Sequence, residues 1–267
     1  MKHRKSISTL LSVALLSVLL TACSVNVDEV SSAADEAFKS KNYQVFNEQY
    51  GKLSKADNDE ATLYLNKVKE NPIFSPDTYG SSTQLSTGVK ELTVIVEEVP
   101  SLSDYAKEKS KELSNKLTKI KTISSTIRYI NDSQVEELES ITSKANTFVM
   151  LMKEYEDVRE TIAALEDLSS GLNSHIIEVE SIEEKDNNIN GLLDAMNSLK
   201  ASLDSKINYL KTNSALITSS NSLTSEGNFY GMVNVTDISV EVESLDSQIS
   251  TSLNNLKQRA SSLSAQY

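Results

Sequence analysis

Residues that interrupt helices are confined to one part of the chain, and this distribution limits what the chain can fold into. There are only 3 Pro and 7 Gly among 267 residues. All the prolines, Pro72, Pro76 and Pro100, precede residue 101, and none follows. A β-rich domain of this size needs many turns, which Gly and Pro commonly supply. The sequence therefore predicts an all-α protein with long helices.

Apolar residues after Pro100 recur every three or four positions, as in helices with one buried face. These series span residues 113–130, 135–168, 192–217 and 238–263. Polar segments at 183–191 and 225–235 separate the later series, and Gly171 is expected to weaken or end the helix around it. The pattern predicts an elongated antiparallel helical bundle, or a coiled-coil-like domain, over residues 101–267.

Residues 33–100 form a separate N-terminal helical region in this interpretation. Apolar spacing from 28 to 53 predicts one helical stretch, and Asp57-x-x-Glu60 resembles a capping box that opens the next helix. Pro72, Pro76 and Gly80 predict a loop over 72–84. The run from Leu92 to Val99 suits a strand or a helix, and helix is favoured because no second strand is available to pair with it.

Two further features concern the boundary between the first long helices. Ser133-x-x-Glu136 reads as a capping box that restarts a helix after residue 131. Lysines predominate over 107–121 and acids over 136–167, so these two segments are expected to pair as antiparallel helices of opposite charge.

The N-terminus has the pattern of an export signal. Lys2, Arg4 and Lys5 precede an uncharged, mostly apolar run from Ile7 to Leu20. A basic start followed by a short apolar stretch is typical of a secretory signal peptide, here residues 1–22. A transmembrane helix is the alternative, but a span takes about 20 predominantly apolar residues. This run is shorter and contains serines.

The end of the run, Leu20-Thr21-Ala22-Cys23, resembles the lipobox of bacterial lipoproteins. The resemblance implies that the dedicated peptidase recognises Leu20, Thr21 and Ala22 and cuts before Cys23, whose sulfur carries a diacylglyceryl lipid. Two acyl chains anchor a protein stably, whereas one does so only marginally. Residues 23–32 are then the lipidated N-terminus and a short tether. The protein is expected on the cell membrane, or on the outer membrane if the source has one, where Ser24 resembles the sorting residue.

Charge and composition argue against several classes of activity. The net charge is −12, which disfavours nucleic acid as a partner. Cys23 is the only cysteine, and His175 is the only histidine after the signal, so zinc sites built from Cys and His are not expected. His175 is interpreted as a surface or partly buried helix residue. Neither a catalytic residue nor a cofactor is predicted.

A weak calcium candidate remains in the polar segment. Residues 186–191 match the first half of an EF-hand loop, with Asp186, Asn188, Asn190 and Asp194 as ligand candidates. Asn197 stands where a bidentate Glu is expected, so a polar helix breaker is the favoured interpretation and no metal site is predicted.

The favoured function is a non-enzymatic envelope lipoprotein that binds or spaces other components through its helical faces. Its partners besides the membrane would be an envelope protein, the cell wall or copies of itself. The first alternative is a ligand-binding or sensory lipoprotein with a site at loops 72–84 and 225–235. An envelope hydrolase that uses two carboxylates is the second alternative.

Overall fold

The computed structural model describes residues 26–56, 58–131, 155–226 and 235–266, and throughout these ranges the protein is helical or connects helices. No strand occurs in these ranges, so the all-α prediction is confirmed. The chain divides between Leu117 and Thr118 into two compact units, called unit 1 and unit 2.

From Asn26 onward, the described part of unit 1 forms four helices and the first part of a fifth. Their bounds are α1, Val27–Lys39; α2, Tyr43–Lys55; α3, Asp59–Lys69; α4, Ser82–Glu98; and α5, Ser103–Asn131. Aromatic rings form much of the contact between α1 and α2, with Phe46 fully buried and its ring 5.0 Å from that of Phe38. Tyr43, Phe46 and Tyr50 are therefore core residues, and the partly buried Phe38 packs against the first two.

Two tyrosine hydroxyls connect helices that are distant in the sequence. Tyr64 of α3 donates to Asp35 of α1 at 2.8 Å, and Tyr43 of α2 donates to Glu91 of α4 at 3.0 Å. Glu91 also pairs with Lys41, whose Nζ lies 2.8 Å from the carboxylate. Burial, together with these hydrogen bonds, raises the pKa of both tyrosines.

The single helical stretch predicted from 28 to 53 is wrong, because the chain turns between α1 and α2. Lys41 has a φ of 57°, in the left-handed region that ends many helices. Asn42 then caps α2, its side chain accepting from the N–H of Val45 at 3.3 Å. Apolar spacing continues across the turn, which is why the pattern alone missed it.

The next helix starts close to the predicted position but with a different cap. Asn58 caps α3 by accepting from the N–H of Ala61 at 2.8 Å, whereas Asp57 lies outside the described residues. The run from Leu92 to Val99 belongs to α4, apart from its last residue, as the helical interpretation predicted. Leu85, Leu92 and Ile95 are buried at helical spacing along it.

The predicted loop at 72–84 is shorter than expected and is held in place. Two single turns of 3-10 helix, Pro72–Phe74 and Pro76–Thr78, occupy its first part, and α4 already begins at Ser82. The Tyr79 hydroxyl donates to the carbonyl oxygen of Ile73 at 2.9 Å, and its ring lies against Gly88 of α4. A Cβ at Gly88 would come within 2.5 Å of that ring.

Gly88→Ala is therefore expected to destabilise the protein by about 1–2 kcal/mol, although Ala is the better helix former by about 1 kcal/mol. The methyl group would force Tyr79 away from the loop. Gly51→Ala in α2 is the matched control, because no atom lies within 4 Å of a Cβ there. That control should be neutral or slightly stabilising. Thermal unfolding followed by circular dichroism compares the two, and equal melting temperatures would contradict the close contact.

The described residues of unit 2 comprise the rest of α5 and three further helices: α6, Tyr155–Glu180; α7, Asn187–Glu226; and α8, Val235–Ser264. They share one apolar core, to which all four contribute, including Ile123, Ile130, Val158, Leu165, Leu172, Leu192, Leu199, Leu210, Ile249 and Leu256. The apolar series read from the sequence thus mark the buried faces of these helices.

Side-chain contacts show that α7 runs antiparallel to both of its neighbours. Along α6, Ser169 bonds to Asp204 and Glu166 to Lys211, so residue numbers fall on one helix as they rise on the other. Along α8, Ser198 contacts Ser252 and Lys206 contacts Asp246, with the same reversal.

Gly171 neither ends nor interrupts α6, which continues to Glu180, so that prediction is wrong. The residue is instead a point of close approach to α5. A Cβ there would lie 2.7 Å from the hydroxyl oxygen of Tyr129, which donates to the carbonyl of Leu168 at 3.4 Å. Tertiary contact therefore accounts for this glycine, and the apolar core holds the helix intact.

The expected pairing of 107–121 with 136–167 lies largely outside the described residues. Lys116 has its carboxylate partner in Asp77, at 3.6 Å, and Lys119 has Asp186, also at 3.6 Å. Both acids fall outside 136–167. The capping box predicted at Ser133 and Glu136 also lies outside the described residues.

Candidate functional site

The predicted lipidation site, Leu20, Thr21, Ala22 and Cys23, lies outside the described residues. The structure begins three residues later, at Asn26, whose side chain caps α1 by accepting from the N–H of Glu29 at 3.4 Å. The chain is thus helical from Val27 onward, inside the tether predicted for 23–32. Along the described residues, no helix has the length and apolarity needed to cross a bilayer.

The calcium candidates lie at a helix start rather than in an EF-hand loop. Asp186 precedes α7 and its Oδ1 accepts from the N–H groups of Asn188 and Ile189, both at 2.9 Å. Asn188 donates its side-chain N–H to Gln266 at 3.2 Å. Asn190 and Asp194 are exposed residues within α7. The D-x-N-x-N-G pattern therefore begins with the N-cap residue of α7.

Asp186→Ala is expected to lower stability by about 0.5–2 kcal/mol through loss of the cap. The hydrogen bond from the Ile189 N–H is the largest cause of the lowered pKa of Asp186, with Lys119 adding to it. A lowered native pKa means that the carboxylate stabilises the fold above about pH 4 and loses this effect as the pH falls further.

Asp186→Asn is the matched variant, since it keeps an accepting oxygen but has no charge. It should retain most of the capping effect and lose the acid dependence. Urea unfolding between pH 3 and pH 7 measures both quantities. An Asn variant with the same acid dependence as the native chain would contradict this role for Asp186.

His175 is packed against the ring of Tyr129 on α5, with 4.4 Å between ring centroids. Its Nδ1 lies 3.5 Å from Oε2 of Glu178, without the geometry of a hydrogen bond. The side chain is 20% exposed, which agrees with the partly buried helix residue read from the sequence. The Tyr129 ring packs against His175, and Glu178 places a carboxylate near it. These contacts describe a packed helix residue rather than the histidine of a catalytic triad.

The most unusual group in unit 2 is a buried ion pair that the sequence reading missed. Lys206 of α7 is 1% exposed and donates to Oδ1 of Asp246 on α8, which is 7% exposed. The other carboxylate oxygen, Oδ2, is buried without a hydrogen-bond partner. Lys and Asp are almost never buried unless they are paired. This pair is therefore the strongest candidate for a specialised role among the described side chains.

The carboxylate of Asp246 is poorly solvated in this pair. Burial raises the pKa of Asp246, and the attraction of Lys206 only partly offsets this effect. A raised pKa means that removing the carboxylate from water costs more than its partner returns. Replacing such a pair with apolar residues is often neutral or stabilising.

Asp204, on a more exposed part of α7, is the opposite case. Its carboxylate accepts from Ser169 and from Lys200, each at 2.7 Å. Burial acts to raise its pKa, but these hydrogen bonds outweigh burial and the pKa is lowered. The comparison identifies incomplete hydrogen bonding and deeper burial as the reasons why Asp246 differs.

Unit 2 has an open groove of about 470 Å³ along α6 and α7. Its lining includes the apolar residues Val158 and Ile162 and the charged residues Arg159, Glu166 and Lys211. Glu166 and Lys211 pair across it at 2.5 Å. Of the two loops predicted to form a binding site, 72–84 lies in unit 1 and most of 225–235 lies outside the described residues.

Clusters of three or more His, Cys, Asp or Glu side chains with metal-binding geometry are not found in the described part of the chain. Comparison of the chain with protein-family models, with curated proteins and with solved structures finds no match.

Proposed function

We propose that this protein is an exported lipoprotein, anchored through a diacylglyceryl group on Cys23, with a non-enzymatic interaction role in the cell envelope. The observation that carries the proposal is the lipobox-like sequence Leu20-Thr21-Ala22-Cys23, placed where the uncharged run ends. A basic N-terminus before that run supports export. The membrane would be the cell membrane, or the outer membrane in a source that has one.

The positions of the ionisable residues support a non-enzymatic role. Asp186 caps a helix, Asp204 is held by Ser169 and Lys200, and His175 is packed against Tyr129. Each of these groups makes contacts that stabilise the bundle. A catalytic base, by contrast, is poised toward a substrate cavity.

The lengths of the helices support an interaction role. α7 alone has 40 residues, about 60 Å at 1.5 Å per residue. A long helix offers a continuous outer surface to a partner, and the acidic balance of the chain favours a partner that is not polyanionic. An envelope protein, an uncharged part of the wall or a second copy of the chain fits these conditions.

In-cell photo-crosslinking tests the proposal. The photoreactive residue is placed at Leu63 of unit 1 or Ile177 of unit 2, which are 73% and 58% exposed. Placing it instead at Phe46, which is fully buried, provides the background of nonspecific products. The expected result is a reproducible product, identified by mass spectrometry, that is lost in the Cys23→Ala variant. Products confined to the chain itself, as monomer, would overturn the interaction role.

A ligand-binding role is the second candidate, and the groove along α6 and α7 is the observation that favours it. It predicts that a small molecule or calcium raises the melting temperature of unit 2 and that Lys211→Ala reduces the shift. An envelope hydrolase predicts turnover that is lost when a single carboxylate is replaced. The interaction role predicts neither effect.

A further inference from the structure

The buried pair stands next to apolar core residues in the heptad series of α7 and α8, which lie before Lys206 on α7 and after Asp246 on α8. Lys206 lies one heptad after Leu199 and two heptads after Leu192 on α7. Asp246 lies one heptad before Leu253 and two before Ala260 on α8. All four of those apolar residues are buried. The two helices thus present repeating apolar series with one charged residue in each, and the two charges meet.

A repeating apolar series does not by itself fix how two helices align. If α8 shifted along α7 by one heptad, apolar residues would again face apolar residues over much of the contact. The charged residues would not be matched. In one direction Asp246 would face Leu199, and in the other Lys206 would face Leu253, so each shifted alignment buries an unpaired charge.

We propose that the Lys206–Asp246 pair fixes the register of α8 on α7 by excluding alignments shifted by one heptad. A polar residue at one core position sets register in coiled coils by the same principle, usually with some loss of stability. The poor solvation of Asp246 fits a group that specifies the alignment rather than strengthens it.

The neighbouring serines make the register measurable. Ser252 of α8 lies between Ser198 and Ser202 of α7, with its Oγ 3.2 Å from each of theirs. Cysteines at 198 and 252 therefore report the native register by forming a disulfide. Residues 205 and 191 lie one heptad after and before Ser198, so Ser205→Cys or Gly191→Cys, each with Ser252→Cys, reports the two shifted registers. The full chain carries Cys23→Ser so that no third thiol competes.

Three backgrounds are compared after mild oxidation, with the disulfides quantified by mass spectrometry. In the native background, the 198–252 disulfide should dominate. In Lys206→Met/Asp246→Leu, which removes both charges, the shifted disulfides should increase by about tenfold or more over the native background. In the exchanged variant Lys206→Asp/Asp246→Lys, which restores the pair, they should return to the native level.

If the apolar variant does not fold, Lys206→Leu/Asp246→Ala takes its place, because it also removes both charges, places less volume at position 246 and leaves no polar group that could itself fix the register. Shifted disulfides that stay at the native level in the charge-free background would overturn the proposal. An exchanged variant that shifts as freely as the charge-free one would also overturn it, since opposite charges would then be present without fixing the alignment.

Discussion

Lys206→Met and Asp246→Leu are each expected to destabilise unit 2 by about 3–5 kcal/mol, because each change leaves one buried charge without its partner. The double variant should instead be about as stable as the native chain, or more stable by about 1–4 kcal/mol. The two single effects are therefore expected to be strongly non-additive. That pattern distinguishes a buried ion pair from two independent core positions.

Hydrogen exchange followed by mass spectrometry measures the stability of the native chain, the two single variants and the double variant. Peptides from α7 and α8 report on unit 2 separately from unit 1. The comparison pair is Lys200→Met and Asp204→Leu, whose side chains are more exposed and should each matter by about 1 kcal/mol or less. Additive losses at Lys206 and Asp246, with the double variant the least stable of the set, would contradict the assignment of a costly buried pair.

The stability of the Lys206→Met variant should depend on pH in a direction that can be predicted. In Lys206→Met the attraction that opposes burial is gone, so the pKa of Asp246 should rise above its already raised native value. Because a raised native pKa means that the folded state binds the proton more tightly, stability should increase as the pH falls from 7 toward about 4. The loss of stability caused by Lys206→Met is thus expected to be smaller at pH 5 than at pH 7. Measuring the free energy of unfolding at the two pH values tests this.

Cys23→Ala is expected to abolish incorporation of labelled fatty acid. When residues 1–22 are also replaced by a signal peptide that the ordinary signal peptidase cleaves, Cys23→Ala is expected to shift the protein almost completely from the membrane fraction to the soluble fraction. The reason is that the proposed anchor is the lipid, whose two acyl chains provide stable attachment. Fractionation with immunoblotting, and metabolic labelling with a palmitate analogue, measure the two effects. With the native signal in place, Cys23→Ala should also stop processing, so that variant should retain the mass of residues 1–22.

Ser24→Ala is the matched control for this experiment, because it changes the neighbouring residue and leaves Leu20, Thr21, Ala22 and Cys23 in place. It should be labelled, cleaved and membrane-bound like the native chain. A Cys23→Ala variant that stays in the membrane fraction after cleavage would show that something other than the lipid holds the protein there, and the lipoprotein proposal would fail.

The helical nature of the chain could be predicted because it depends on local and periodic features. The near absence of Pro and Gly after residue 100, and the apolar spacing along α7 and α8, are visible without knowledge of the partner helices. The choice of helix for the segment from Leu92 was likewise correct. Short helices with matching apolar faces are harder to divide, and the turn at Lys41 was missed for that reason.

Contacts between distant residues could not be predicted in the same way. Gly171 looks like a helix breaker, and only the position of the Tyr129 hydroxyl shows why the helix continues through it. Asp186 fits both a calcium loop and a helix cap, and the backbone after it decides between them. For the Lys206–Asp246 pair, heptad counting would have shown charges at core positions. The two charged side chains meet only because of the antiparallel register of α7 and α8, and no local sequence pattern predicts that register.

The separation of the two charged residues has a consequence for how the protein is made. Asp246 follows Lys206 by 40 residues, so during synthesis Lys206 is produced well before its partner. Until then α7 presents an apolar face interrupted by one ammonium group, which discourages association with other apolar segments. Once the C-terminal helix is complete, the same group is neutralised and enclosed.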